Sequence, residues 1–166
     1  ITVTSLQLAV LTAAVANGGI KVTPHFLQRT IRPDDTMEEY RAPEGKRIIG
    51  ENAAASLRYI LGEVVRMGTG TRAALSLYNC AGKTGTAMKP DPQGGYREAY
   101  IATFAGMAPS EDPRLVAVIT LDEPATVYGG LAAAPCFSQV MEFALQHLEV
   151  NPSLERENTR DKVVVE

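Results

Sequence analysis

The sequence predicts an α+β fold, an antiparallel sheet flanked by helices. Apolar residues recur at helical spacing in three segments, residues 5–17, 52–67 and 134–148. Three strand-like runs, 80–89, 100–108 and 115–122, lie between the second and third of these. Pro109-Ser110-Glu111-Asp112-Pro113 joins the last two runs as a turn, so they are expected to pair as a hairpin. Strands grouped together between helices, with no β-α-β alternation, indicate an antiparallel sheet.

The opening residues Ile1-Thr2-Val3-Thr4 read as extended. Residues 5–17 are apolar nearly all round, which predicts a helix buried on most sides. Asn17-Gly18-Gly19 ends it, because glycine tolerates the left-handed backbone of a helix terminus. Ile20-Lys21-Val22 is a short strand limited by Pro24. Residues 29–51 form a polar surface excursion, with short strands expected at 29–32 and 47–49. In the second helix Leu57, Ile60, Leu61, Val64 and Val65 make one stripe, and Gly68-Thr69-Gly70-Thr71 ends it. In the third, Phe137, Val140, Met141, Ala144, Leu145 and Leu148 make one face. Leu115-Val116-Ala117-Val118-Ile119 is apolar on both faces, which predicts a sheet covered on both sides. Residues 151–166 turn polar and are expected to form a tail. Three strands leave a sheet edge open, and the apolar first helix needs neighbours. Residues 1–150 are therefore expected to be part of a larger domain that continues on the N-terminal side.

Composition narrows the function classes. The 166 residues carry 16 basic and 19 acidic side chains, a net charge of −3, without the basic stripe that nucleic acid requires. Apolar residues make up 45%, enough for a packed core. No apolar run reaches the roughly 20 residues of a membrane-spanning helix, and no secretory leader pattern opens these residues. Two cysteines supply neither a disulfide framework nor a cysteine zinc site, and Cys80 and Cys136 are expected to be free. His25 and His147 lack metal-ligand spacing, so no metal is expected.

The sharpest local feature is Gly82-Lys83-Thr84-Gly85-Thr86-Ala87. A phosphate-binding loop would need glycine where Leu77 stands and a helix to follow, so that reading fails. Gly68-Thr69-Gly70-Thr71-Arg72-Ala73 matches a dinucleotide fingerprint only in letters, because it follows a helix where a strand is required. A strand of small residues packed against another backbone is the plain alternative. The remaining reading is the Lys-Thr-Gly strand of a serine acyl-transfer enzyme. Lys83 would supply charge for a carboxylate, Thr84 and Thr86 hydroxyls, and Gly85 a close approach to the main chain. Strand alternation points Lys83 and Gly85 to one face and the two threonines to the other. Only a cleft along the strand edge could therefore collect all four. Arg72 and Arg97 flank the motif, and Asp122-Glu123-Pro124 reads as a turn.

The wider pattern resembles the penicillin-binding proteins. It runs from Ile1-Thr2-Val3-Thr4-Ser5-Leu6-Gln7-Leu8 and Ala16-Asn17-Gly18-Gly19 through Gly68-Thr69-Gly70-Thr71 and Ala81-Gly82-Lys83-Thr84-Gly85-Thr86-Ala87. It continues through Thr103-Phe104-Ala105-Gly106-Met107-Ala108-Pro109 and Pro113-Arg114-Leu115-Val116 to Tyr128-Gly129-Gly130 and Ala133-Ala134-Pro135. The Lys-Thr-Gly-Thr-Ala form is similar to the class B (monofunctional) peptidoglycan D,D-transpeptidases. The resemblance implies the C-terminal half of a transpeptidase domain of the penicillin-binding and serine β-lactamase-like fold. It implies Lys83 and Thr86 as catalytic residues, and Lys83, Thr84, Gly85, Thr86, Ala87, Tyr128 and Gly129 as substrate-binding residues. The backbone N–H of Thr86 would be an oxyanion donor, worth roughly 10²–10³ in rate. The implied ligands are the D-Ala-D-Ala end of a peptidoglycan stem peptide and β-lactams, with no cofactor. The implied partners are the N-terminal part of the same domain and other cell-wall synthesis proteins. The implied place is the extracytoplasmic face of the bacterial cytoplasmic membrane, with the anchor outside this chain. A serine β-lactamase, a D,D-carboxypeptidase of the same fold and a non-catalytic peptide-binding module are the alternatives. One departure stands out. Ser5, Ser56, Ser76, Ser110, Ser138 and Ser153 have no lysine three places on and no asparagine two places on. The family's S-x-x-K and S-x-N elements are thus missing, and the chain alone is expected to be inactive.

Overall fold

The computed structural model describes residues 2–153, and the expected tail lies outside them from position 154. Helix α1 (Ser5–Ala16) starts in a capping box. The Thr4 hydroxyl accepts from the Gln7 N–H at 3.1 Å, and the Gln7 side chain accepts from the Thr4 N–H at 2.9 Å. Gly18 and Gly19, at φ 61° and 94°, turn the chain away. Only Thr12, Ala14 and Val15 of α1 are buried, while Leu6 and Leu11 are more than half exposed. The expectation of a helix buried on most sides is corrected here. The helix has one packed flank, against the sheet and α2, and its remaining apolar surface meets no described residue.

Two small ladders follow. Strand β1 (Ile20–Lys21) pairs with β4 (Lys46–Arg47), and β2 (Arg29–Ile31) with β3 (Met37–Glu39). Strand β3 was not expected, because all its residues are exposed and leave no alternating pattern. Turn chemistry holds it instead. The Asp34 carboxylate accepts from the Thr36 N–H at 3.1 Å and hydroxyl at 2.6 Å, and Arg32 pairs with Glu38 at 2.6 Å. The strand expected at 47–49 pairs only at Lys46–Arg47.

Helix α2 (Glu51–Met67) has the expected place, yet its stripe divides. Val65 joins the main core and Leu61 a smaller one, whereas Ile60 and Leu57 are exposed. A short 3-10 turn (Thr71–Ala73) leads to the central sheet, β5 (Ala81–Pro90), β6 (Tyr96–Ala108) and β7 (Leu115–Asp122), antiparallel in the order β5-β6-β7. Alternation sends Phe104, Ala108, Leu115, Ala117 and Ile119 toward helix α3 (Gly129–His147). Met107 and Val116 point the other way, to Val15 of α1. The sheet is therefore covered on both faces, which is why β7 is apolar throughout. Helix α3 begins earlier than residue 134, since Gly129 and Gly130 press against β5 and Thr69 and continue the helix despite Pro135. Phe137, Met141 and Leu145 are buried as expected, while Val140 and Leu148 are not. After α3 the chain returns to the start of β5. The Tyr78 hydroxyl donates to the Val150 carbonyl at 2.9 Å, and the Asn79 N–H to the Ser153 hydroxyl at 2.7 Å.

Candidate functional site

Strand β5 pairs with β6 on one side, from Ala81 opposite Met107 to Pro90 opposite Tyr96. Among the described residues its other edge has no strand partner. Both ends are fastened. At the start, Gly82 lies under the Phe104 ring, where a Cβ would come within 2.6 Å of the ring and 2.7 Å of the Ala105 carbonyl. At the far end the Lys89 ammonium meets Asp122 at 2.8 Å and Glu123 at 2.9 Å, and Glu123 also holds Arg97 at 2.6 Å. Lys89 first and Arg97 second hold the Glu123 carboxyl below its ordinary range. Arg97 is thus engaged far from the motif, and the Asp122-Glu123 turn is also an ion cluster.

Between these anchors lies the motif. Lys83 and Thr86 are exposed, and Thr84 and Gly85 half-buried. The Lys83 ammonium donates to the Thr84 carbonyl at 3.0 Å and to the Thr84 hydroxyl at 3.1 Å. It reaches across the strand to the threonine side, so the Lys83 ammonium and the Thr84 hydroxyl meet at one place. The Thr84 hydroxyl also shares a hydrogen bond with that of Thr69 at 3.0 Å. The Thr86 hydroxyl accepts from the Gly129 N–H at 3.1 Å. A hydroxyl that accepts there keeps its own hydrogen free to donate elsewhere. Gly129 is buried, and a Cβ on it would overlap the Gly85 carbonyl and stand 2.5 Å from the Thr103 carbonyl. The helix start thus lies against the strand. At Gly85, by contrast, a Cβ would meet nothing nearer than the Thr103 Cβ at 3.5 Å, so packing does not demand glycine there. Ala87 is exposed next along the strand, and Tyr128, 63% exposed, caps α3 with no side-chain bond.

Other reactive groups lie elsewhere. A cavity of about 660 Å³ between α2 and residues 75–80, and another of about 720 Å³ beside the β2-β3 hairpin, do not include residues 83–87. Cys80 and Cys136 are free, as expected. Burial pushes the Cys80 thiol up to about 12, and it donates to the Ala73 carbonyl at 3.3 Å, so it is no nucleophile. The Ser5 hydroxyl is bonded to Thr120 and that of Ser138 to the Ala74 carbonyl. Among the described residues no group of three His, Cys, Asp or Glu could hold a metal ion. The Thr69 contact escaped the sequence reading, where Gly68-Thr69-Gly70-Thr71 served as a helix end and as part of the family resemblance, with no role given to Thr69.

Comparison with known proteins agrees with this architecture. Residues 1–142 match the penicillin binding protein transpeptidase domain. The chain is 40% identical over 162 residues to the penicillin-binding protein PbpB of Mycolicibacterium smegmatis, covering 90% of this chain and 25% of that protein. It is 35% identical to the stage V sporulation protein D of Bacillus subtilis, covering 92% and 24%. The crystal structure of penicillin-binding protein 3 from Mycobacterium tuberculosis complexed with ampicillin superposes with a TM-score of 0.84 at 35% identity, over 93% of this chain and 37% of that one. The chain thus spans about a quarter of the length of the relatives it matches. With the family model running from the first residue through most of α3, and 93% of the chain superposing on a solved relative, the chain belongs to the penicillin-binding protein transpeptidase domain family.

Proposed function

We propose that this chain supplies the carboxylate-binding strand and sheet of a peptidoglycan D,D-transpeptidase, and that residues 1–150 are the C-terminal portion of its catalytic domain. The observation that carries the reading is the contact of Lys83 with Thr84 on a strand whose other edge has no described strand partner, with the Thr86 hydroxyl further along it turned donor by Gly129. An extended D-Ala-D-Ala stem would lie along β5 as an added strand and place its terminal carboxylate at Thr84 and Thr86. Lys83 would supply the fixed positive charge. The Thr86 N–H would be one oxyanion donor. Tyr128 would form the rim, and Gly129 would act through Thr86. A serine from outside these 166 residues would attack the amide carbonyl, form the acyl-enzyme and expel D-alanine. The amine of a second stem peptide would then displace the serine and complete the cross-link. A relative carries the name peptidoglycan D,D-transpeptidase FtsI, and a related protein is solved with aztreonam, consistent with β-lactams at the same strand. Such a substrate would put the reaction on the outer side of the cytoplasmic membrane, beside other cell-wall synthesis proteins.

The test is labelling with a fluorescent penicillin. The isolated chain stays unlabelled, and the longer gene product that carries it is labelled stoichiometrically and more slowly as Thr86→Val. Covalent labelling of the isolated chain overturns the external nucleophile. Reversible D-Ala-D-Ala binding by the isolated chain, lost in Thr86→Val, with no labelling of either form, makes it a binding module instead.

A further inference from the structure

We propose that Thr69 is a positioning residue for Lys83, acting through Thr84. The inference deepens the reading of β5 as the carboxylate-binding strand and rests on it. An ammonium has only donors, so where Lys83 meets the Thr84 hydroxyl at 3.1 Å the oxygen must accept. A hydroxyl oxygen has two acceptor sites, so the Thr84 oxygen also shares a hydrogen bond with the Thr69 hydroxyl, 3.0 Å away, in which either group can donate. With Thr69 as donor, the Thr84 hydrogen stays available for the substrate carboxylate. Without Thr69, the Thr84 side chain loses the bond that holds its hydroxyl oxygen beside the ammonium, and Lys83 keeps only the Thr84 carbonyl as a fixed acceptor.

Thr69 is itself held from two sides. The N–H groups of Gly68 and Gly70 both donate to the Val64 carbonyl, at 3.1 and 3.0 Å. A Cβ at Gly70 would lie 3.2 Å from that carbonyl and 3.3 Å from the Phe104 ring. On the other side, Gly130 at the start of α3 lies against the Thr69 carbonyl, where a side chain would overlap it, and its Cβ would stand 3.4 Å from the Thr84 methyl. The end of α2, the start of α3 and the motif strand therefore converge on one exposed threonine. It meets the strand through the Thr84 side chain and takes its position from the packed α2 and α3 termini.

The experiment compares Thr69→Val and Thr69→Ser in the longer gene product. Fluorescent-penicillin acylation is separated into an initial affinity and a first-order acylation rate, and Lys83 methylation by formaldehyde and borohydride is read against exposed Lys46. Thr69→Val should lower the acylation rate about three- to tenfold, the worth of one hydroxyl hydrogen bond, and leave the initial affinity unchanged. Thr69→Ser should restore the rate. Lys83, left with the Thr84 carbonyl as its one fixed acceptor, should methylate about twofold faster in Thr69→Val with Lys46 unchanged. Acylation of Thr69→Val at the parent rate with unchanged methylation overturns the inference, as does a serine variant as slow as the valine one. A parent that takes up no penicillin while Lys83 methylation responds to Thr69 overturns the acyl-transfer reading and leaves the relay standing.

Discussion

Gly129 shows how much a single missing methyl can decide. Its φ is not in the left-handed region, so its role is one of space. The atoms a Cβ would strike belong to the Gly85 and Thr103 backbones, which cannot swing aside as a long side chain could. Gly129→Ala must push the start of α3 away from β5 and break the bond to the Thr86 hydroxyl. The expected cost is about 1–3 kcal/mol, as for overpacked interiors, read from the midpoint of urea unfolding. Gly62→Ala is the contrast. Nothing lies within 4 Å of a Cβ there, inside α2. Alanine should raise stability by about 0.5–1 kcal/mol through helix propensity. Equal effects from the two substitutions would refute the contact between α3 and β5. At this scale the sequence displayed Lys83, Thr84, Gly85 and Thr86 as a contiguous motif. It could not display Thr69 or the Gly129 N–H, because their relation to β5 exists only after α2 and α3 have packed.

At the scale of elements, β7 was legible because burial on both faces leaves an unbroken apolar run, and its bounds agree with the run. Strand β3 was illegible for the opposite reason, since turn chemistry alone fixes it. The ion cluster at the end of the sheet was illegible too, because Lys89, Arg97 and Glu123 come from different strands and the turn after β7. It nevertheless ties all three strands together. Asp122 first and Glu123 second hold the Lys89 ammonium above its usual value, and Lys89 and Arg97 hold the Glu123 carboxyl below its own. A lowered carboxyl stabilises the fold above the unfolded value of 4.5 and loses that contribution as pH falls through the folded value. A raised ammonium stabilises below 10.5 and loses its contribution as pH rises through the folded value. Glu123→Gln should therefore lower the melting temperature at neutral pH and flatten its decline below about pH 4.5. Asp122, Glu123 and Arg97 are open to solvent and Lys89 is half-buried, so added salt should narrow the gap between parent and variant. A pH profile parallel to that of the parent would show that the cluster contributes nothing to stability.

At the scale of the whole molecule, the described residues leave apolar surface that they do not cover among themselves. On α1, Val3 just before the helix is 55% exposed, Leu6 53% and Leu11 56%, although the other flank of the helix packs on the sheet. Here the sequence and the structure disagree in an informative way. The composition of residues 5–17 describes a helix enclosed all round, and the described residues enclose half of it. The same holds for Leu57 and Ile60 on α2. Patterning reports the environment in which a segment is used, and these helices carry the pattern of a larger interior. If the proposed N-terminal portion of the domain closes over α1, Leu6 and Leu11 change environment between the isolated chain and the longer gene product. In the isolated chain about half of each side chain is already wet, so Leu6→Ala and Leu11→Ala should each cost under about 1 kcal/mol. In the longer protein the same truncations should leave cavities and cost about 2–5 kcal/mol. Phe137→Ala serves as the internal standard, since Phe137 is fully buried within these residues and should cost about 3–5 kcal/mol in both forms. Urea unfolding of both forms, with the three variants in each, decides the matter. A small leucine penalty that stays the same in both would mean that the outer flank of α1 faces water in the longer protein as well, and the proposed closure over this helix would be abandoned.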